Sequence, residues 1–164
     1  MQTSEHVVRE ATRADLPGVL ALYRELRPND PVLPDLEASA SWDRLLASPD
    51  ALVIVAGSEG AVESTCMLAI VPNTANGGRP FGIIEHVITS RKQRHRGLAR
   101  AVLEHALHLA WSRSCCKVVL LSGAERTEAH RLYESVGFRG GIECGFVAKP
   151  ASGAVLDIPY VAYT

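Results

Sequence analysis

The sequence predicts an α/β fold in which a mixed sheet is flanked by helices. Three observations predict it: two helix-like segments near the start, three apolar strand-like runs in the middle, and a helix–strand–helix succession after them. With 164 residues the chain has the length of one ordinary domain with a real core, so a single domain over residues 1–164 is expected. A hydrophobic fraction of 47% against 21% charged residues belongs to a folded chain rather than a disordered one.

The elements follow in order. "VVREATRADLPGVLALYREL" reads as a short strand and then a helix, with Thr12 as N-cap, Asp15 in the first turn, and Leu16, Val19, Leu20 and Tyr23 at helical spacing. The break "RPNDPVLP" ends that helix, and "DLEASASWDRLLAS" reads as a second, weaker one. "ALVIVAG", "STCMLAIVP" and "FGIIEHVIT" are strands, the last two joined by the glycine-rich "NTANGGRP". Helix "GLARAVLEHALHLAWSR", strand "KVVLLSG" and helix "TEAHRLYESV" come next, and a tail holding "ECGFVAKP" and "VLDIPYVAY" closes the sequence. On the long helix Leu98, Val102, Ala106 and Leu109, with Ala99, Leu103 and Ala110, make one apolar arc, and Arg100, Glu104, His108 and Ser112 fall opposite.

A formal net charge of -1 gives no global basic field, which disfavours nucleic acid as a partner. The opening residues carry no apolar signal segment and no apolar run approaches membrane-spanning length, so a cytoplasmic protein without a membrane partner is expected. Cys66, Cys115, Cys116 and Cys144 show no CxxC pair and no disulfide-framework spacing, the pattern of reduced thiols. His105 and His108 lie a turn apart without a third ligand at a recognisable spacing, so no metal is expected.

"RKQRHRGLAR", residues 91–100, nevertheless gathers six positively chargeable side chains. The long helix begins here, and the first backbone N–H groups of a helix have no intrahelical acceptors and carry the positive end of its dipole. Gly97 and the small Ala99 would let a bulky anion approach that backbone, with Arg91, Lys92, Arg94 and Arg96 adding charge. A solvated basic loop would carry the same residues, and spacing alone does not separate the two. Two other phosphate cradles are excluded: Leu98 and Ala99 stand where a P-loop needs Lys and then Ser or Thr, and no GxGxxG opens a strand–helix turn.

Arg94-His95-Arg96-Gly97-Leu98-Ala99 resembles the R/Q-x-x-G-x-G/A signature of the GCN5-related N-acetyltransferases (GNAT). "EAHRLYESVGF", from Glu128 to Phe138, is similar to that superfamily's A-x-x-L-Y-x-x-x-G-F helix and turn, and the strands "IIEHVIT" and "KVVLLSG" stand before and between the two signatures as the family has them. The likeness is sharpest from Ile83 to Phe138 and extends by element order over the whole chain. It implies a central, mostly antiparallel sheet flanked by helices, acetyl-CoA as acetyl donor, and main-chain amides before the long helix that bind its pyrophosphate. By similarity Arg94, Arg96, Gly97 and Ala99 fall there, with Lys92, Gln93, His95, Leu98 and Arg100 beside them, while Val87, Ile88 and Thr89 match the splayed strand that pairs with the pantetheine arm.

Acetyl transfer to an amine needs a neutral amine, a polarised carbonyl and a proton for the departing thiolate. Tyr133 matches the family tyrosine that stands beside the thioester sulfur as general acid. Glu85 is the favoured base, on a strand where relatives often carry a carboxylate, and His86 is its rival. Strand alternation predicts that the two point to opposite faces, so that only one meets the cleft. The family pattern is broken at Arg126, where many relatives carry an Asn that contacts the cofactor arm; Arg126 then faces solvent, a coenzyme phosphate or an acidic acceptor.

The resemblance implies a small-molecule primary amine as acceptor, with Tyr23, Arg24, Arg27, Asn29, Asp30 and His86 as candidate contacts. It also implies that the apolar "VLDIPYVAY" finishes the sheet or meets a second subunit in a homodimer. A noncatalytic coenzyme A sensor or partner subunit with the same fold is the alternative function.

Overall fold

The computed structural model describes residues 6–58 and 60–150. Five strands, β1 (Val7–Glu10), β2 (Ala51–Gly57), β3 (Ser64–Val71), β4 (Phe81–Thr89) and β5 (Val118–Leu120), lie side by side in chain order. Each of the first four is antiparallel to its neighbour, and β5 joins β4 in parallel. Helices α1 (Leu16–Leu26), α2 (Asp35–Ala47), a single turn α3 (Ala75–Gly78), α4 (Leu98–Ser112) and α5 (Thr127–Ser135) complete the order.

The unbroken apolar run of β2 has a direct cause, since the sheet is covered on both faces. Leu52, Ile54 and Ala56 join one core with Leu98, Val102, Leu103, Ala106 and Ala110 of α4. The alternate residues Val53 and Val55 join a second core with Val19 of α1 and Trp42 of α2. On α4 the predicted arc is the buried face, while Arg100, Glu104, His108 and Ser112 are exposed.

Two boundaries differ from the sequence reading. Thr12 opens a 3-10 turn, Arg13–Asp15, rather than α1 itself, because the Asp15 carboxylate folds back to accept from the Thr12 N–H at 2.7 Å and is gripped by Arg9 of β1. β5 is three residues long instead of the predicted seven, since its pairing with β4 stops at Ile84↔Leu120. Residues 143–150 carry no strand, and the "VLDIPYVAY" segment, residues 155–163, lies outside the described residues.

The feature that shapes the site is an irregularity in β4. Met67 stands opposite Glu85 and Thr65 opposite Ile88, so His86 and Val87 share the single position facing Cys66. This is a β-bulge, and His86 takes a left-handed φ of +56° to form it. Past the bulge Ile88 and Thr89 stay fastened to β3: Ser64 Oγ donates to the Ile88 carbonyl at 3.2 Å and lies 2.7 Å from Thr89 Oγ1. On the other side β4 has no β5 partner beyond Ile84, and the sheet opens there.

Candidate functional site

The opening between β4 and β5 continues into a groove of about 620 Å³. One wall is Val87, Ile88 and Thr89 of β4, then Gln93, Arg94, His95, Gly97, Leu98, Ala99 and Arg100. Gly97, the N-cap of α4, has φ +81° and ψ -2°. A Cβ built on it would meet nothing within 4 Å, so the backbone angle, not crowding, demands glycine. No side chain caps α4, which leaves its first N–H groups toward an open space beside Arg94 and Arg100. Leu98, 3% exposed, pins that turn to the core.

Lys92 and Arg96 do not line the groove. Arg96 instead donates to Gln93 Oε1 within the loop, and Arg100 shares itself with Glu104 at 2.8 Å. The sequence reading missed the facing wall, which Glu125 before α5 and Thr127, Glu128 and Arg131 of α5 supply ahead of Tyr133. A signal for it existed: a strand parallel to β4 and followed by a helix must bring that helix's first turn to the same end of the sheet as α4's. It also missed Glu25 of α1, whose carboxylate accepts from the Arg91 N–H at 3.1 Å and from Ser90 Oγ at 3.5 Å, tethering the start of the basic loop.

Behind the groove lies a smaller cavity of about 190 Å³, lined by Leu26, Arg27, Ile84, Glu85, His86, Val87, Leu120, Leu121, Arg126 and Tyr133. Glu85 and His86 therefore share one cavity, and the expectation that they face opposite ways is wrong. The bulge is the reason, because two residues spent on one register position break the alternation. The His86 ring packs on Tyr23 with centroids 5.0 Å apart. Tyr23 backs that ring from the second core rather than lining the cavity. Of the remaining acceptor candidates only Arg27 lines it; Arg24, Asn29 and Asp30 are exposed and do not.

Charges and burial tune these groups. Burial holds the His86 imidazole below its usual value, Arg27 pushes the same way, and Glu85 and Asp30 oppose both. Burial likewise raises the Tyr133 phenol, with Arg126 pulling down against it and Cys66 and Glu85 pushing up. Tyr133 is 8% exposed, its ring edge-on to Phe138 at 6.2 Å. Burial pushes Tyr23 up to about 12. Among the described residues, no group of three or more His, Cys, Asp or Glu side chains is placed to hold a metal ion, and no helix is long and apolar enough to cross a membrane.

Groove and cavity meet at Val87, Arg126 and Tyr133, which line both. A family model described as the acetyltransferase (GNAT) family matches residues 18–138, a span that runs from within α1 through the end of α5. The chain belongs to the GNAT acetyltransferase family. A solved protein from Agrobacterium tumefaciens str. C58 with a provisional acetyltransferase name is 40% identical to this GNAT chain, covering 88% of it and 99% of that protein at a TM-score of 0.83. The glucosamine 6-phosphate N-acetyltransferase of Trypanosoma brucei brucei is 32% identical over 80 residues, 49% of this chain and 52% of that enzyme. The GNAT chain thus spans about half the length of that curated relative. An aminoglycoside N-acetyltransferase solved in complex with CoA shares the fold at 19% identity, with a TM-score of 0.75 over 90% of this chain and 97% of that one.

Proposed function

We propose that this GNAT protein transfers the acetyl group of acetyl-CoA to the primary amine of a small molecule. The observation that carries the reading is the junction: a groove with uncapped helix amides at one end runs into a cavity holding a carboxylate and an imidazole, and Tyr133 stands where the two join. The curated relative's named acceptor, glucosamine 6-phosphate, supports a small amine.

The α4 amides, Arg94 and Arg100 would hold the pyrophosphate, and the β4 backbone at Val87, Ile88 and Thr89 the pantetheine arm. Acetyl-CoA brings an acyl group already activated as a thioester. The new bond joins amine nitrogen to acyl carbon, the carbon–sulfur bond breaks, and the nitrogen's surplus proton passes to Glu85. His86 is the rival base, brought into the same cavity by the bulge and favoured in its neutral form. An ordinary phenol near 10 is already about 1.5 units above a thiol near 8.5, and burial raises Tyr133 further. Tyr133 therefore serves as a hydrogen-bond donor to the departing sulfur, with proton delivery helped by the nearby Arg126 charge.

The test is a titration of acetyl-CoA by calorimetry followed by thiol-release assays on a panel of amines. One site per chain and turnover with an amine are expected, and Tyr133→Phe should lower kcat about a hundredfold or more while keeping acetyl-CoA affinity. Unchanged turnover in Tyr133→Phe would remove its role. Saturable binding without thiol release from any amine would favour the noncatalytic sensor.

A further inference from the structure

Several cations of the described residues have local partners. Arg9 pairs with Asp15, Arg13 with Asp43, Arg100 with Glu104 and Lys117 with Glu143, while Arg79 donates to the Ser114 and Cys115 carbonyls. Arg27 and Arg126 differ: among the described residues neither guanidinium has an ion pair or a hydrogen bond, and both line the 190 Å³ cavity. They come from different helices, Arg27 capping the end of α1 and Arg126 the start of α5. A cation at a helix C-terminus complements the dipole, which accounts for Arg27 in part, but at the N-terminus of α5 a cation is on the unfavourable end. Arg126 is therefore not there for the helix.

Both charges reach the groups around the cavity, for Arg27 acts on His86 and Arg126 on Tyr133. The lining residues include two arginines against one glutamate, Glu85, with His86 held toward neutrality; Asp30 acts on His86 from outside the lining. An acceptor that is only cationic meets net repulsion here. An acceptor with an amine at one end and an oxyanion at the other is matched at both, its amine toward Glu85 and its oxyanion toward two fork-shaped donors suited to bidentate contacts.

We propose that the acceptor is an amine that also bears an anionic group, a phosphate or a carboxylate, gripped between Arg27 and Arg126. The proposal rests on the acetyl-transfer reading for the reaction but not for the anion grip itself. It separates the acceptor from the polycationic aminoglycosides named for one structural neighbour.

The experiment compares kcat/KM for four acceptors on the full chain: glucosamine 6-phosphate, glucosamine, an α-amino acid and a polycationic aminoglycoside. An anionic amine should exceed glucosamine by about tenfold or more, as expected of charge-assisted hydrogen bonds, and the aminoglycoside should be poorest. Whether phosphate or carboxylate leads identifies the source of the charge. Arg27→Gln and Arg126→Gln should each collapse the ratio toward one, and Arg27→Lys should restore part of it. A neutral or polycationic acceptor that does as well as the anionic ones, or an Arg27→Gln loss shared equally by all four, overturns the proposal. A second readout keeps the two readings apart. Protein saturated with CoA, which cannot transfer, is titrated with glucosamine 6-phosphate, the α-amino acid and glucosamine. Binding of an anionic amine that Arg27→Gln abolishes upholds the grip even if nothing is acetylated, and equal or absent binding of all three refutes it.

Discussion

His86 carries a backbone angle that costs a non-glycine residue on the order of 1 kcal/mol. Nothing in "IIEHVIT" announces it, since β-branched residues and alternation describe a regular strand. At Gly97 the sequence pointed to a missing side chain, and the structure adds the reason for glycine, a φ of +81°. One prediction belongs to His86. Arg27 disfavours the imidazolium, so Arg27→Gln should raise the His86 pKa, read from the ring proton shifts by NMR titration. An unchanged or lower value would mean that the guanidinium does not face the ring. The sign also fixes the stability effect. A depressed folded value means that the unfolded chain binds more protons below about pH 6.5, so the stabilising contribution of neutral His86 is complete above that pH and is lost as pH falls through the folded value.

Between residues and the whole fold, the turn that starts α1 shows why element boundaries escape sequence reasoning. Thr12 and Asp15 were legible as capping residues, but the geometry of the turn is set by Arg9 of β1, whose guanidinium reaches both Asp15 oxygens at 2.7 and 2.9 Å. Trp42 of α2 adds a bond from its ring N–H to the Thr12 carbonyl at 3.2 Å, so three elements converge there. The Arg9 guanidinium, with burial opposing, holds the Asp15 carboxyl at about 2. Asp15→Asn should therefore cost about 2 kcal/mol in urea denaturation at pH 7. The unfolded carboxyl titrates near 3.9, so the difference between the two proteins should be full above about pH 4 and shrink as the pH falls toward 2. A pH-independent difference would assign the effect to packing instead. The same convergence logic explains Glu25, which ties α1 to the loop before α4 across a distance in sequence that no local pattern reports.

At the scale of the molecule, the sheet divides its two faces between α4 with α5 and α1 with α2, and the site sits where β4 and β5 part. A ligand filling the groove touches β4, α4 and α5 together, so its binding should stabilise the whole fold. At about one hundred times its dissociation constant, acetyl-CoA should add about 2.7 kcal/mol, which for a chain of this length is a rise of roughly 5–10 °C in Tm by scanning calorimetry. No rise in a well-folded sample would count against the groove as the donor site.

What the sequence determined alone was whatever depends on spacing along the chain: the apolar arc of α4, the continuous apolar run of β2, the glycine at the start of α4, and the two signatures that identify the family. Each is a periodicity or a local backbone requirement, and short-range sterics and hydrophobic patterning suffice to impose it. The tertiary structure alone decided that Glu85 and His86 share a cavity, that Glu25 tethers the basic loop, and that Arg27 and Arg126 face one small space from two helices. These arise from register and from how packed layers close on one another, where a one-residue bulge redirects a side chain and chain-distant charges become neighbours.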